Sequence, residues 1–477
     1  MRSALGLCLL ASLSACSSLA PEYHPPSTSA PAHWQNESAA PAEPGWQVAQ
    51  PSDAQAKGDW WQLFNDPVLN QLTQAALAHN PTLVQAQSRL DQAKAQTAMA
   101  QSELMPTVGM AAGTSRFGTS KDRPLSAYTT PNQHVTQNDF NAAFSASYEV
   151  DLNGRVHSQI DSAKALEVKS GADFENTQLL LTAQLASSYF SLRTLDGDIA
   201  LLSRSLRAQK KYIDLLEDRH QQGLTSGLDL AQQKALTSVL ETQLQGLQDQ
   251  RSQFQNAIAT LTGQAAPSFA LAALPDSGAA LPQAPTIPLS SPATVLERRP
   301  DVASAERSMA AANAQIGIAR SAYYPSVTLG SLLGTDANQG PLFLSGPAAL
   351  WSLGLSAGLT LFDGGRIDAN VSSAKAVYQQ TASAYQQTVL NAFEEVQDTV
   401  NTRHALAQNQ TALKASAQSA RMAFELTQAR YERGAASHLE VLTNEQIWLG
   451  YERQLLQNQG QQLLNTVQLV KVLGGGW

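Results

Sequence analysis

LTAQLASSYFSLRTLDGDIALLSRSLRAQKKYIDLLEDRH, residues 181–220, decides the fold. Leu181, Leu185, Ser188, Leu192, Leu195, Ile199, Leu202, Leu206, Gln209, Ile213, Leu216 and His220 step by four and three in strict alternation. That is a heptad seam of period 3.5, and a seam held over more than five heptads asks for a partner along its whole length. No proline occurs between Pro131 and Pro267, so the helix can start near Gly154. At 1.5 Å per residue, about 65 residues make a rod of roughly 100 Å, far beyond an ordinary globular helix and suited to spanning a gap.

Working outward, the rod ends in Gln221-Gln222-Gly223-Leu224-Thr225-Ser226-Gly227, a tight turn with two glycines. A second helix returns from Leu228 to Leu261, with Leu240, Leu244, Leu247, Phe254, Ile258 and Leu261 on its seam. Before the rod, Phe140, Ala142, Phe144, Ala146, Tyr148 and Val150 alternate with Asn141, Ala143, Ser145, Ser147, Glu149 and Asp151. This period of two marks a strand with one apolar and one polar face. A weaker partner runs from Thr107 to Thr114, and a polar loop joins the two. Length and pattern fit a transmembrane β-barrel with a wet interior, although a half-buried sandwich strand would look the same.

The whole arrangement then recurs. Gly154-Arg155 and Ser162-Ala163-Lys164-Ala165 return 211 positions on as Gly365-Arg366 and Ser373-Ala374-Lys375-Ala376. At the same shift Gly223 matches Gly434, Leu228 matches Leu439 and Asp229 matches Glu440. The second strand alternates through Leu353, Leu355, Ala357, Leu359 and Leu361, and no proline follows Pro347. One unit of helix, two strands, long helix, turn and helix therefore occurs twice.

The expected organisation is a signal peptide over 1–15, a Pro-rich extended tether over 16–58, repeat 1 over 59–266, a connecting segment over 267–292 and repeat 2 over 293–477. Strands are expected over about 106–115, 139–151, 325–334 and 350–361, and helical hairpins over about 154–262 and 365–473. Arg2 followed by the apolar run from Ala4 to Leu13 reads as a secretory signal, too short to span a bilayer. Leu13-Ser14-Ala15-Cys16 resembles a bacterial lipobox, with Cys16 as the lipidated residue. Cys8 and Cys16 are the two cysteines, so the body of the protein has no disulfide framework.

Only 6% of residues are aromatic, which suits thin helical layers better than a thick core. The formal net charge of −8 and the lack of basic clusters exclude nucleic-acid binding. There is no Walker loop, dinucleotide fingerprint, metalloprotease motif or nucleophile elbow, so no enzyme, metal or cofactor is expected. The eight histidines are scattered.

Two units give four strands. A barrel needs at least about eight, and an open sheet edge cannot face lipid because its backbone groups would go unpaired. Two chains would close a minimal barrel filled by side chains, whereas three give twelve strands and a passage. The expected fold class is thus an α+β membrane protein: a trimeric, 12-stranded outer-membrane β-barrel continuous with a long periplasmic α-helical coiled-coil barrel.

Trp60-Trp61-x-x-Phe64-x-Asp66-Pro67-x-Leu69, Glu297-Arg298-Arg299-Pro300-Asp301-Val302, Ala311-Ala312-Asn313-Ala314-Gln315-Ile316-Gly317 and Arg430-Tyr431-x-x-Gly434 resemble the TolC/OprM outer-membrane factors, in particular the NodT-type efflux lipoproteins. The resemblance covers the chain after the tether. It implies a homotrimeric exit duct in outer-membrane lipid, docked to a periplasmic membrane-fusion adaptor and an inner-membrane pump of the resistance-nodulation-division class. It further implies that Asp229 and Tyr431, with Glu440 as the second-half acid, help close the periplasmic mouth. Gly223, Leu224, Ser226, Gly434 and Ser437 are the expected adaptor contacts at the tips. The family's gate arginine corresponds to Ala436, so that latch is absent.

Plain alternatives accompany these roles. Asp229 could simply cap a helix, and the tip residues could serve turn geometry alone. Glu149 and Asp151 would line the barrel's periplasmic end as a cation-favouring ring or as ordinary polarity. Arg298, Arg299 and Asp301 would cap and solvate a helix start, while Arg155 and Arg366 would sit at strand-to-helix junctions. For the whole chain, a type I protein-secretion duct and a poreless lipid-anchored coiled-coil scaffold are the competing functions.

Overall fold

The computed structural model describes residues 19–24, 30–31, 34–35, 58–122, 134–274, 281–287 and 292–475. The signal segment and Cys16 lie outside the described residues. In chain order the elements are α1 (Pro67–His79), α2 (Pro81–Ser102), β1 (Thr107–Gly118), β2 (Thr136–Val150), α3 (Arg155–Gln221), α4 (Gly227–Leu261), α5 (Pro292–Arg298), α6 (Pro300–Ser321), β3 (Ser326–Ala337), β4 (Ala349–Gly358), α7 (Arg366–Glu432) and α8 (His438–Val472). The long helices α3 and α7 have 67 residues each, and the returning helices α4 and α8 have 35 each. The chain divides into two compact units.

The first unit comprises Met1–Pro26, Leu90–Ser170 and Ala305–Tyr385. Its centre is one four-stranded antiparallel sheet in the order β1-β2-β3-β4. β4 stops at Gly358, so Leu359 and Leu361 lie beyond the strand although they continue the alternation. The other strands run longer than expected, because Phe117-Gly118 finds partners in Gln137 and Thr136 and Ala337 pairs with Phe140.

In this unit the start of the expected tether is docked rather than free. Asn313 Nδ2 donates to the Pro21 carbonyl at 2.8 Å and Arg320 Nη1 to that of Leu19 at 3.2 Å. Tyr23 donates to the Glu306 carboxylate. Ala20 lies so close to Gly317 that a Cβ there would meet it at 2.8 Å. A glycine in mid-helix costs about 0.5–1 kcal/mol relative to alanine, and close passage of this strap is what the missing side chain permits.

The second unit comprises Ser27–Arg89, Gly171–Ser304 and Gln386–Trp477, and holds the main core. Trp60, Trp61, Phe64, Tyr189 and Phe190 form its aromatic centre, with the Phe64 and Phe190 rings 4.7 Å apart. Asp66 caps α1 by accepting from the Val68 and Leu69 amides, and Pro67 follows at a position where no amide is needed. The same carboxylate accepts a 2.6 Å bond from the Tyr189 hydroxyl. Asn80 caps α2 through Oδ1 and reaches the last carbonyl of α4, Leu261, through Nδ2 at 2.8 Å.

Other tether residues dock here too. Trp34 is buried edge-on to Phe393, and Gln35 exchanges two hydrogen bonds with Gln397. The reading of Arg299 as part of a solvated cap is corrected. Arg299 is buried and donates to Asp301 at 2.6 Å, Glu395 at 2.8 Å and the Val472 carbonyl at 3.2 Å. A buried guanidinium needs this many acceptors, and three separate segments supply them.

Candidate functional site

In the second unit the two tip turns are built alike. At the end of α3 the Gly223 amide donates to the His220 carbonyl at 2.9 Å and the Leu224 amide to Arg219 at 2.8 Å. At the end of α7 Gly434 and Ala435 donate to Tyr431 and Arg430, both at 2.9 Å. Both are Schellman closures, which need a left-handed residue, and Gly223 and Gly434 each have φ of 72°. Ser226 then caps α4 by accepting from the Leu228 amide. Ser437 caps α8 in a full capping box, in which Glu440 receives the Ser437 amide at 3.1 Å.

These caps place Ser226, Ser437 and Glu440 at helix starts. Glu440 closes the capping box, and the Ser437 amide and hydroxyl hold its carboxyl below the usual glutamate range. Asp229 is not the cap of α4, since Ser226 is. It sits three residues further on, within 3.4 Å of the Thr225 hydroxyl. Leu224, Leu228 and Leu439 are exposed apolar side chains at the turns.

Tyr431 pairs with a residue that sequence reasoning missed. Tyr212, on α3, donates to the Tyr431 hydroxyl at 2.8 Å, and burial together with this bond pushes the Tyr212 phenol up from its ordinary range. His438, the first residue of α8, stacks on Tyr212 with ring centroids 4.6 Å apart. Its Nε2 donates to Gln233 Oε1 of α4 at 3.1 Å. A cavity of about 700 Å³ opens beside these rings, lined also by Phe424 and Glu445. Tyr212 lies outside the turns, and His438 stands where the first turn has Gly227, so only a pairing of the hairpins could reveal the cluster.

Further along the same helices, Asp196 and Asp198 are buried on α3. Asp196 accepts from Arg251 of α4 at 2.6 Å and Asp198 from Arg453 of α8 at 2.7 Å. Two residues apart on a helix point in opposite senses, so each acid serves a different neighbour.

The first unit presents a different surface. Its register sets Met110, Phe144, Leu333 and Trp351 in one row across all four strands. They are large, apolar and 64%, 54%, 64% and 78% exposed. Val108, Tyr148, Leu329, Leu353 and Leu355 share this face by register. The other carries Gly109, Ser145, Ser147, Thr328, Gly330, Ser352 and Ser356. Leu332 and Leu350 break its polarity. β1 pairs with β2 alone and β4 with β3 alone among the described residues.

Glu149 and Asp151 are not free carboxylates. Arg155, the first residue of α3, donates to Glu149 at 2.7 Å and to Glu103 at 3.2 Å. Asp151 accepts from the His157 ring at 2.6 Å and from its amide at 2.9 Å. Arg155 and Arg366 do open α3 and α7. Arg366 lies within 3.9 Å of Asp363, whose oxygens cap α7.

The family described as Outer membrane efflux protein matches residues 72–264 and 292–475. The chain is 32% identical to the Pyoverdine export outer membrane protein OpmQ of Pseudomonas putida over 437 residues, covering 91% of this chain and 92% of that one. It is 30% identical to the Probable efflux pump outer membrane protein TtgC of Pseudomonas putida, over 100% of this chain and 96% of that one. Among solved structures it is similar to the outer-membrane channel OprN, at 28% identity and a TM-score of 0.85, covering 97% of this chain and 100% of that one. Fold, paired hairpins and sheet thus coincide with full-length relatives, and the chain belongs to the outer-membrane efflux proteins, a family of transport channels of the outer membrane.

Proposed function

We propose that three copies of this chain assemble into the exit duct of a tripartite efflux pump, passively passing small solutes to the cell exterior. The single observation that carries the reading is the open sheet: four strands, one apolar face and two edges unpaired among the described residues. In lipid such edges must be closed, and three chains joining β1 to β4 of the next give twelve strands without an edge. The polar face of small residues then lines the passage. The two 67-residue helices, at 1.5 Å per residue, supply about 100 Å of coiled-coil wall. The chain is read as two repeats of one unit, and Cys16 as a lipid anchor.

The tip turns form the periplasmic mouth. Leu224 and its neighbours Gly223 and Ser226, with Gly434 and Ser437, meet a membrane-fusion adaptor, which links the duct to an inner-membrane pump of the resistance-nodulation-division class. Tyr431 and Asp229 take part in closing the mouth, with Glu440 fixing the second turn. Relatives named for pyoverdine export and for efflux pumps favour small solutes over secreted proteins. A four-stranded sheet with a row of exposed large apolar side chains does not suit a poreless scaffold. The chain is a conduit and catalyses nothing; energy comes from the inner-membrane partner.

The test is conductance. Purified protein in planar bilayers is expected to give discrete steps that grow when Tyr431 and Asp229 are both replaced by alanine. No steps at all from correctly folded protein would overturn the duct.

A further inference from the structure

His438 occupies an unusual position for an ionisable ring. It is 8% exposed, stacked on Tyr212 of α3 and bonded through Nε2 to Gln233 of α4. Since Gln233 Oε1 can only accept, Nε2 carries the proton and Nδ1 is left as a lone pair. That Nδ1 is buried without a hydrogen-bond partner. A second proton would have to be placed there, where no acceptor stands among the described residues. His438 is also the first residue of α8, where the helix dipole opposes a cation.

We propose that His438 is a proton-released brace: neutral, it ties the α7–α8 turn to α3 and α4; protonated, it leaves its slot and frees the two turns from each other. This rests on the reading of the turns as a closable mouth, and makes that mouth looser in acid. The cavity of about 700 Å³ beside the ring gives it somewhere to go.

Charged and titratable groups surround the ring on every helix packed against it. Tyr212 and Arg219 face it from α3, Asp229 from α4, Tyr431 and Glu432 from α7, and Glu445 from α8 itself. Asp229 pulls toward the imidazolium, but burial outweighs it and holds the imidazole below the usual histidine range. Protons are therefore taken up more readily by the released ring, so the brace is fully present above the ordinary histidine pKa of about 6.5 and is lost as pH falls below it. Glu445 acts in the opposite sense: burial raises its carboxyl, so acidification relieves a buried charge.

Hydrogen exchange of the full chain in detergent micelles, corrected for the intrinsic pH dependence, tests this directly. Between about pH 7.5 and pH 5.5, amides over residues 431–442 are expected to open on the order of tenfold more often. His438→Phe, which keeps the stack but cannot titrate, should show no acid step. His438→Gln should likewise be pH-independent, and Glu445→Gln should keep the step. An unchanged wild type, or a step that persists in His438→Phe, overturns the proposal. Conductance at neutral pH separates the outcomes: a protein that conducts without an acid step loses the brace alone, and one that never conducts loses the duct.

Discussion

Arg453 grips Asp198 through both Nε, at 2.7 Å, and Nη2, at 3.0 Å, a bidentate fork between α8 and α3. The acid is almost wholly buried and the guanidinium mostly so. Removing one partner leaves an uncompensated charge, which costs about 3–5 kcal/mol, whereas replacing both by apolar groups can be neutral. Asp198→Leu is therefore expected to lower the thermal midpoint markedly, and Asp198→Leu with Arg453→Met to recover most of the loss. Circular dichroism melts of the three proteins check it, and equal losses in the single and double variants would contradict it.

Close helix approach makes a second prediction. A Cβ at Gly460 of α8 would lie 2.3 Å from the Thr194 hydroxyl of α3. Overpacking of this kind costs about 1–3 kcal/mol. Gly460→Ala should destabilise the fold by that order, and the companion change Thr194→Ala should restore part of it. Gly450, one of the glycines with open space around it, is the control: Gly450→Ala should be neutral or mildly stabilising.

The two faces of the sheet should respond oppositely to charge. Phe144 lies mid-strand in the apolar row, and a cation on the lipid face near the midplane costs about 2–4 kcal/mol. Phe144→Arg is expected to deplete the protein from the outer membrane. Ser145→Arg, one residue on and on the opposite face, should assemble normally and reduce cation conductance. Equal tolerance at both positions would show that the alternation does not separate lipid from water.

The capping box carries a pH dependence of its own. The Glu440 carboxyl is held below its ordinary value of 4.5 by Ser437, so its contribution is present above that value and lost as pH falls through the depressed one. Fraying at the start of α8 should thus appear in two acid ranges, the higher from His438 and the lower from Glu440. Glu440→Gln, followed by exchange at residues 438–442, should abolish the lower one only.

Periodicity made much of this architecture legible. The heptad over residues 181–220 located α3, and the alternation over 140–150 located β2, because each records which side of an element meets apolar neighbours. Strand ends depart from expectation where alternation and pairing disagree, as at Leu359 and Leu361, which have the pattern but no partner strand among the described residues. The docked strap was hidden because prolines and alanines read as a linker, while the groove that receives them depends on Gly317 and Asn313 far along the chain. Turn glycines are visible from their repetition, but the caps are not: Asp229 offers itself as the cap of α4, and Ser226 takes that place. The Tyr212–Tyr431–His438 cluster is not visible either, since Tyr212 belongs to one hairpin and Tyr431 and His438 to the other.

One copy cannot close its own sheet, and three together are expected to. The mass of the detergent-solubilised particle, with bound detergent subtracted by light scattering, measures this most directly. Three chains per particle, about 150 kDa of protein from a 50.9 kDa subunit, is the expected result; a particle of one chain that still conducts would contradict it.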